Sequence, residues 1–354
     1  MATSPVSPQC PEPYLLKDLS SEILAQNVFE LELLKVLRKK GWDEEGLDGH
    51  FNRQRQIADS ADDRMNSIWF NKMKKVFREL DVQARFVPTF GRLEFLDLGC
   101  CPGGFTSYIL QKHHRAHGTG ISLPIEQGGH PMALEQHLSS RFELHLADLL
   151  YYKLHSGHRP LLLTSMQPLP DGFAARFNIV ILDGHFLRTY RSPALTDPDE
   201  WDRHRLLISQ IVIALRSVAP GGTIVIKLSH PEKLLTAQIL HMLDNLSISL
   251  CVHKPHSLHA NRGTFYAIAK GIGRGPHGEK QSQYLQGLED LWHDITFGGE
   301  TGRGRFMTAT DLDFITTYDD IVTTYLGRLI DLGRSVWLTQ ADALQVWFSR
   351  RGIL

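Results

Sequence analysis

Two charged residues stand at the ends of strongly apolar segments. Asp183 follows the apolar run of FNIVILDGHF (177–186), and Lys227 lies near the end of GGTIVIKLS (221–229). Burying either charge without a purpose is unfavourable, and ligands of open α/β sheets bind beyond the carboxyl ends of the strands. We therefore predict a functional site at Asp183 and Lys227, in preference to a lysine that merely snorkels from a strand end.

A glycine-rich loop follows another apolar segment, in the string FLDLGCCPGGF at residues 95–105. Glycines allow the backbone to approach a ligand closely, and the start of the next helix offers unpaired N–H groups to a carboxylate. Gly99, Gly103 and Gly104 lack the G-x-G-x-x-G spacing of dinucleotide-binding loops. The alternative is a tight turn without a ligand, but the whole strand–loop–helix string favours a cofactor loop.

The elements that would position these residues alternate along the chain. Strands are predicted at 93–99, 118–124, 142–149, 177–186 and 221–229, with two more around a loop inside 250–271. Helices are predicted at 64–82, 105–114, 201–218 and 231–245. This alternation predicts the α/β class, with a mostly parallel sheet covered by helices on both faces.

Helical patterns also lie outside this region. A helix is predicted at 20–40, and three more at 283–296, 311–331 and 340–350. We therefore divide the chain into a disordered lead (1–18), a helical N-terminal extension (19–60), a main domain (61–272), a linker (273–282) and a helical C-terminal extension (283–354).

Composition excludes several classes of protein. No run of 18 apolar residues predicts a membrane span, and four scattered cysteines fit a reducing intracellular compartment better than a disulfide scaffold. The 18 histidines show no ligand spacing, so we predict no metal site. With a net charge of −1, any surface for nucleic acid must be a local basic patch.

Several motifs resemble those of one enzyme family. DLGCCPGGFTSYIL resembles the glycine-loop motif of the FtsJ-type ribose 2′-O-methyltransferases, which include the mRNA cap-ribose enzymes. WFNKMKKVF, LADL, ILDGHF, GGTIVIKL and KPHSLHANRGTFYAIAKG follow in the family's order within residues 64–271, and DGHF is close to the DGGF of cap-ribose enzymes. The resemblance implies a Rossmann-like methyltransferase fold with a seven-stranded sheet, and S-adenosyl-L-methionine as the cofactor.

The same resemblance implies a set of cofactor contacts. Asp148 in LADL matches the family's acidic residue that reaches the adenine amino group, although a helix N-cap is the alternative. No residue is assigned to the ribose hydroxyls, for which Glu126 is the nearest carboxylate. The cofactor residues predicted in this way are Asp97, Gly99, Cys100, Pro102, Gly103, Gly104, Phe105, Asp148 and Asp183.

The family's catalytic group is a Lys–Asp–Lys–Glu tetrad, in which the second lysine deprotonates a ribose hydroxyl. Lys72, Asp183 and Lys227 match its first three positions, while Lys74 and Lys75 compete with Lys72. A lysine base must be neutral although its free pKa is about 10.4, so desolvation or a neighbouring cation has to lower it.

The fourth position does not match. Thr264 stands where the resemblance places glutamate, and no acidic residue occurs between Val252 and Lys270. Either three tetrad residues suffice, or the site does different chemistry, or the chain is a cofactor-binding relic. Another carboxylate, such as Glu232 or Asp62, is a candidate for the vacant place.

Evidence for RNA binding in the sequence is balanced. Basic residues cluster at 35–40, 72–78 and 85–92, and Trp69 and Phe70 are candidates for base stacking. The same residues also fit solvated helix ends and a packed core.

Three hypotheses about function follow. The leading one is a methyltransferase that acts on RNA ribose. The others are a small-molecule methyltransferase of the same fold, and a catalytically impaired scaffold whose C-terminal helices bind a protein partner.

Overall fold

The computed structural model describes residues 18–44, 63–155, 166–187, 189–190, 202–300 and 302–354. In chain order its helices and strands are α1 (Ser20–Leu24), α2 (Phe29–Trp42), α3 (Asp63–Ala84), β1 (Leu93–Leu98), α4 (Gly104–Lys112), β2 (Ala116–Ser122), β3 (Phe142–Leu146), β4 (Phe177–Leu182), α5 (Asp202–Ser217), β5 (Val218–Ser229), α6 (Leu234–Leu246), β6 (Ser249–His253), β7 (Thr264–Lys270), α7 (Gln281–Phe297), α8 (Tyr318–Asp320) and α9 (Leu326–Ser349). Short 3₁₀ helices cover Ile125–Gln127, Gln136–Arg141, Leu149–Tyr151 and Gly278–Lys280, and a π-helical turn covers Ile321–Tyr325.

The strands form a single seven-stranded sheet in the order β3-β2-β1-β4-β5-β7-β6. Only β7 runs antiparallel to its neighbours within this sheet. The chain winds outward from β1 to β3 and then returns to β4 beside β1. The carboxyl ends of β1 and β4 therefore flank a crevice of the kind that binds ligands in open α/β sheets. The predicted α/β fold with a mostly parallel sheet is confirmed.

The strands bury side chains on both faces, which explains their nearly continuous apolar sequences. In β1, Leu96 and Leu98 join the core formed with α1, α2, α5, α6, α7 and α9. Leu93 and Phe95 point to the opposite face and join the core beneath α3 and α4. Every residue of β1 is buried, so this strand fixes the glycine loop that follows it.

The N- and C-terminal helices differ from their predicted bounds. The helix predicted at 20–40 is interrupted between α1 and α2, where Asn27 has a left-handed φ of 54°, and α2 continues past Gly41. The two helices predicted at 311–331 and 340–350 are replaced mainly by the continuous α9. Its central turns supply the buried side chains of Val336 and Trp337, so packing extends the helix across residues that showed no periodic pattern.

The segment predicted as a linker is bonded to the main domain. Gly273 N donates to Leu246 O over 2.8 Å, and His277 N donates to Asn245 O over 2.9 Å, which ties this segment to the end of α6. Helices α7 and α9 bury their apolar faces in the same core as α5 and α6. The predicted lead lies outside the described residues except for Asp18, and none of the described helices is long and apolar enough to cross a membrane.

Candidate active site

Asp183 and Lys227 meet at the carboxyl end of the central strands. Asp183 follows β4, and its backbone N–H donates to Leu98 O of β1 over 3.1 Å. Lys227 Nζ donates to the backbone oxygen of Asp183 over 2.7 Å and lies 3.0 Å from Asp183 Oδ1. Both side chains are mostly buried, so the pair is held within the fold and not on its surface.

Tyr266 completes the immediate surroundings of Asp183. It pairs with Lys227 across β5 and β7, and its hydroxyl donates to Asp183 Oδ1 over 2.8 Å. Burial and the adjacent carboxylate raise the pKa of Tyr266 far above its ordinary value, so the hydroxyl keeps its proton and orients the carboxylate. This contact was not predicted from the sequence, because it joins residues 83 positions apart on different strands.

The glycines of the loop have different packing roles. Gly99 has a φ of +81°, and a Cβ there would lie 2.5 Å from Gly184 Cα, so this glycine lets the ends of β1 and β4 touch. A Cβ on Gly104 would lie 2.5 Å from Phe70 O, so this position lets α3 pack on α4. At Gly103 the neighbour is the Met132 side chain.

A cleft opens beside the Asp183–Lys227 pair and encloses about 610 Å³ of empty space, part of it open to solvent. Its lining contains two of the predicted cofactor residues, Gly99 and Asp148, together with residues that sequence analysis did not select. These additional lining residues include Cys101, His185, Leu149, Leu150 and Leu206.

The other predicted cofactor residues do not line this cleft. Cys100 and Phe105 are buried below it. Asp97 is also buried and accepts a hydrogen bond from Thr106 Oγ1 over 2.8 Å. Burial and the charge of Asp183 raise the pKa of Asp97 to about 7. Pro102 accepts a backbone hydrogen bond from Ala133 N, which holds the segment after β2 against the loop.

Asp148 is the helix N-cap that the sequence offered as one of two roles, and its contact with adenine stays a prediction. Its Oδ1 accepts from Leu150 N over 2.9 Å and caps the short helix that follows, while Oδ2 accepts from Tyr190 OH over 2.7 Å. The residue also lines the cleft, and burial raises the pKa of its carboxyl group.

The cleft residues fit S-adenosyl-L-methionine. Leu149, Leu150 and Leu206 provide an apolar wall suited to a purine, with the Asp148 carboxyl group beside it. At the other end the backbone of Gly99 and Cys101 is accessible, because the close approach of Gly99 to Gly184 keeps side chains out of the way. Cys101 is the more acidic of the two thiols, because a hydrogen bond with Cys100 lowers the pKa of Cys101 while burial raises the pKa of Cys100.

The three competing lysines of α3 have different environments. Lys74 Nζ forms an ion pair with Glu135 over 2.9 Å, and Lys75 is exposed. The charge of Lys72 contributes, with that of Lys227, to lowering the pKa of His259, for which burial is the largest cause. Lys72 is itself exposed, so its place in the catalytic group stays a prediction.

Of the two proposed substitutes for the missing glutamate, only Glu232 lies in the part of the chain that the structure describes, and its partners lie elsewhere. Glu232 accepts from Arg38 Nη1 over 2.7 Å and from Trp337 Nε1 over 2.9 Å, so it is committed to the terminal helices. Asp62 lies outside the described residues. The nearest new neighbour of Lys227 is instead a histidine, His185, whose Nδ1 is 3.2 Å from Nζ.

The aromatic and basic candidates for RNA contact are only partly available. Phe70 is buried in the protein, and Trp69 packs edge-on against His130 with ring centroids 5.1 Å apart. In the basic stretch 35–40, Arg38 points inward to Glu232. No group of three His, Cys, Asp or Glu side chains in the described part of the chain is placed to hold a metal ion.

Comparisons with solved structures find similar but distant chains. A provisionally assigned ribosomal RNA methyltransferase from Plasmodium falciparum is 16% identical, with 56% of this chain and 96% of that chain covered and a TM-score of 0.36. A 1,6-didemethyltoxoflavin-N1-methyltransferase from Burkholderia thailandensis is 14% identical, with 64% and 90% covered and a TM-score of 0.36. Human methyltransferase-like protein 13 is 12% identical, with 65% and 93% covered and a TM-score of 0.30.

No curated protein matches the sequence significantly. The model of the FtsJ-like methyltransferase family matches residues 70–272, which is more than half of the chain and includes the glycine loop, Asp183, Lys227 and Thr264. The chain therefore belongs to the FtsJ-like methyltransferase family and is an S-adenosyl-L-methionine-dependent methyltransferase.

Proposed function

We propose that the protein methylates the 2′-hydroxyl of ribose in RNA, with Lys227 as the general base. The observation that carries this proposal is the Asp183–Lys227 pair, 3.0 Å apart, next to Gly184 and His185, which line the cofactor cleft. An amine held in this place can reach a hydroxyl group that enters beside the methyl donor. Lys72, on the facing helix α3, is proposed as the third member of the catalytic group.

Each residue has a separate task in this proposal. S-adenosyl-L-methionine supplies an electrophilic methyl group on a positively charged sulfur. The neutral amine of Lys227 takes the proton of the ribose hydroxyl, whose oxygen forms the new bond to carbon. Asp183 holds Nζ through two oxygens, and the Tyr266 hydroxyl keeps the carboxylate in its orientation.

Charge near the cleft supports an anionic substrate. Besides burial, the charges of Lys227, Arg262, Lys254 and Lys72 all lower the pKa of His259. Of these cations, Lys72 and Arg262 are exposed, and they add positive charge on this side of the site in a protein whose net charge is −1. Such a patch suits the phosphates that flank a reactive ribose.

For the cofactor we propose contacts by the glycine loop and by Asp148. The backbone of Gly99 and Cys101 lies against the donor, with Pro102, Gly103 and Gly104 setting the path of the loop. Asp148 is proposed to face the adenine amino group. Asp97, Cys100 and Phe105 act from below by shaping and supporting the loop, because all three are buried.

The test is transfer of a labelled methyl group from S-adenosyl-L-methionine to total RNA, followed by digestion to nucleosides. We expect label in 2′-O-methylnucleosides. We also expect Lys227→Ala to lower kcat by about 100-fold or more, as for loss of a general base. Lys153→Ala removes an exposed lysine and is the matched control.

The outcomes separate the candidate functions. Label in RNA bases, or in a small molecule of a cell extract but not in RNA, rejects the ribose proposal. Cofactor binding by calorimetry without transfer to any acceptor favours the scaffold. Transfer by Lys227→Ala at the rate of the unmodified protein rejects the lysine base even if RNA is the substrate.

A further inference from the structure

Lys227 has three acceptors around its side-chain nitrogen. Two belong to Asp183, the backbone oxygen at 2.7 Å and Oδ1 at 3.0 Å. The third is Nδ1 of His185 at 3.2 Å. Two of these contacts are hydrogen bonds, those with the backbone oxygen of Asp183 and with His185, and the contact with Oδ1 is an ion pair. The hydrogen bond with His185 therefore fixes the rotation of the amine about its Cε–Nζ bond.

His185 is suited to accept this hydrogen bond. Its side chain is exposed and lines the open cleft. The positive charge of Lys227, together with burial and the neighbouring His259 and His130, lowers the pKa of His185 to about 3. The imidazole is therefore neutral near pH 7, and the nitrogen that faces an ammonium group must be the unprotonated one.

We propose that His185 is a positioning residue that aims the Lys227 amine into the cleft. This inference rests on the proposed role of Lys227 as the base. It assigns to His185 part of the work that the family resemblance gives to a glutamate at the position of Thr264, namely holding the lysine in register. The residue belongs to the string DGHF, in which cap-ribose enzymes have glycine instead of histidine.

The direction of the contact explains how it serves the reaction. The two contacts from Asp183 come from the end of β4, whereas His185 lines the cleft. A neutral amine keeps two N–H groups and gains a lone pair. Donation to the backbone oxygen of Asp183 and to Nδ1 of His185 uses these two N–H groups, so the lone pair stays free for the proton of a substrate hydroxyl in the cleft.

The charge state of the acceptor also has a consequence. A carboxylate beside the amine would favour the ammonium form and raise the pKa of the lysine, whereas a neutral imidazole adds no negative charge. The titratable groups that face Lys227 are Asp183 from the end of β4, Tyr266 from β7 and His259 from the loop between β6 and β7, besides His185 itself. Among these groups Asp183 is the one carboxylate.

Three substitutions of His185 separate these roles. His185→Asn keeps an acceptor at nearly the position of Nδ1, His185→Leu keeps the volume without an acceptor, and His185→Asp adds a negative charge. We expect His185→Leu to lower kcat by about 10- to 100-fold, because Lys227, which accepts the proton of the ribose hydroxyl, would then be misplaced. We expect His185→Asn to retain most of the activity. His117→Leu, at an exposed histidine of β2, is the control.

A second measurement does not depend on RNA. The titration of Lys227 can be followed by NMR of lysine carbons labelled at Cε, in protein saturated with S-adenosylhomocysteine, with Lys227→Met to assign the signal. We expect His185→Asp to move the midpoint upward by about one pH unit or more, and His185→Leu to move it downward. The acidic limb of the kcat profile should move in the same directions.

The outcomes distinguish the two levels of the proposal. If the Lys227 titration shifts as expected but no label enters RNA, the contact is correct and the proposed substrate is wrong. An unchanged titration in both His185→Asp and His185→Leu overturns the inference even if RNA is methylated. Equal losses of kcat in His185→Asn and His185→Leu also overturn it, because the ring and not its acceptor would then be required.

Discussion

Replacing Glu232 with glutamine tests whether one buried carboxylate joins both terminal helices to the catalytic domain. Glu232 follows β5 and is only 3% exposed. It accepts from Arg38 of α2 over 2.7 Å and from Trp337 of α9 over 2.9 Å, and it lies 3.2 Å from His230 Nδ1. Glutamine keeps the shape and one acceptor oxygen but removes the charge.

The expected cost has two parts. Breaking a buried ion pair from one side costs about 3–5 kcal/mol. Because glutamine retains one acceptor, we expect Glu232→Gln to lower the free energy of unfolding by about 2–4 kcal/mol at pH 7. The second part depends on pH. Burial alone would raise the pKa of Glu232, but the hydrogen bond with His230 and the charge of Arg38 outweigh it and hold the pKa well below its usual range.

The sign of the pH effect follows from this depressed pKa. The carboxylate stabilises the folded state above its unfolded pKa of about 4.3, and each pH unit below that value removes about 1.4 kcal/mol. Between pH 5 and pH 3 the unmodified protein should therefore lose about 2 kcal/mol through this group, while Glu232→Gln loses nothing through it. The difference in stability between the two proteins should shrink by that amount.

Urea unfolding followed by tryptophan fluorescence at pH 7, 5 and 3 measures both parts. Comparing pH 5 with pH 3 avoids the range near pH 6.5 in which free histidines titrate. Glu32→Gln, an exposed position on α2, is the control and should change stability little. A stability difference that stays constant from pH 5 to pH 3 would show that Glu232 is not held ionised by its partners, and the reasoning would be refuted.

Three further predictions concern stability. Gly104→Ala should lower the free energy of unfolding by about 2–3 kcal/mol, because its Cβ would lie 2.5 Å from a backbone oxygen of α3. Gly327→Ala has open space around it in α9 and should raise the free energy of unfolding by up to about 1 kcal/mol. Equal effects of the two substitutions in thermal unfolding would contradict this. Lys254→Met should increase amide exchange across 255–263, because the buried amine donates to the backbone oxygens of His259 and Arg262 in this loop and of Thr264 at the start of β7; unchanged exchange rejects it. Since the pKa of Asp97 is raised to about 7, its contribution is present at low pH and lost on going from about pH 4 to 7. In urea unfolding, the free energy of unfolding of the unmodified protein should therefore fall relative to that of Asp97→Asn between about pH 4 and 7. A difference between the two proteins that does not change with pH would contradict this prediction.

The sheet and the Asp183–Lys227 pair were accessible from sequence because local patterns determine them. The strands buried on both faces leave nearly unbroken apolar runs, and a charge at the end of such a run stands out. Asp183 and Lys227 were selected on that basis, and the parallel pairing of β4 with β5 brings them within 3.0 Å. Their role in catalysis stays a prediction.

The glycine loop shows where a local pattern is ambiguous. Gly104 was selected because a missing side chain lets a ligand approach, but the space that it leaves is occupied by the backbone of α3. A glycine in a sequence indicates that another group lies close to the backbone there, but it does not indicate whether that group is a ligand or another part of the protein. The identity of the neighbour depends on how α3 lies across α4, which periodicity alone does not specify.

The neighbours of Lys227 show a different limit. The histidine in DGHF was visible beside Asp183, yet its contact with Lys227 joins residues 42 positions apart and depends on the conformation of the chain after β4. Glu232 was considered as a replacement for the missing glutamate, but its partner Arg38 lies 194 residues away. Only the packing of α2 against the sheet reveals that this carboxylate is already paired.

These contacts connect the terminal helices to the site. The loop between β6 and β7 carries His259 toward Lys227 and is held from inside by Lys254, while Gln340 of α9 donates to Asn261 O over 3.4 Å. Gln340 also accepts from Arg38, the partner of Glu232. The rigid sheet therefore fixes Asp183 and Lys227, whereas α2 and α9 fix the loop that faces them. Breaking the contacts of Glu232 with Arg38 and Trp337 should consequently disturb the loop between β6 and β7 before it disturbs the Asp183–Lys227 pair.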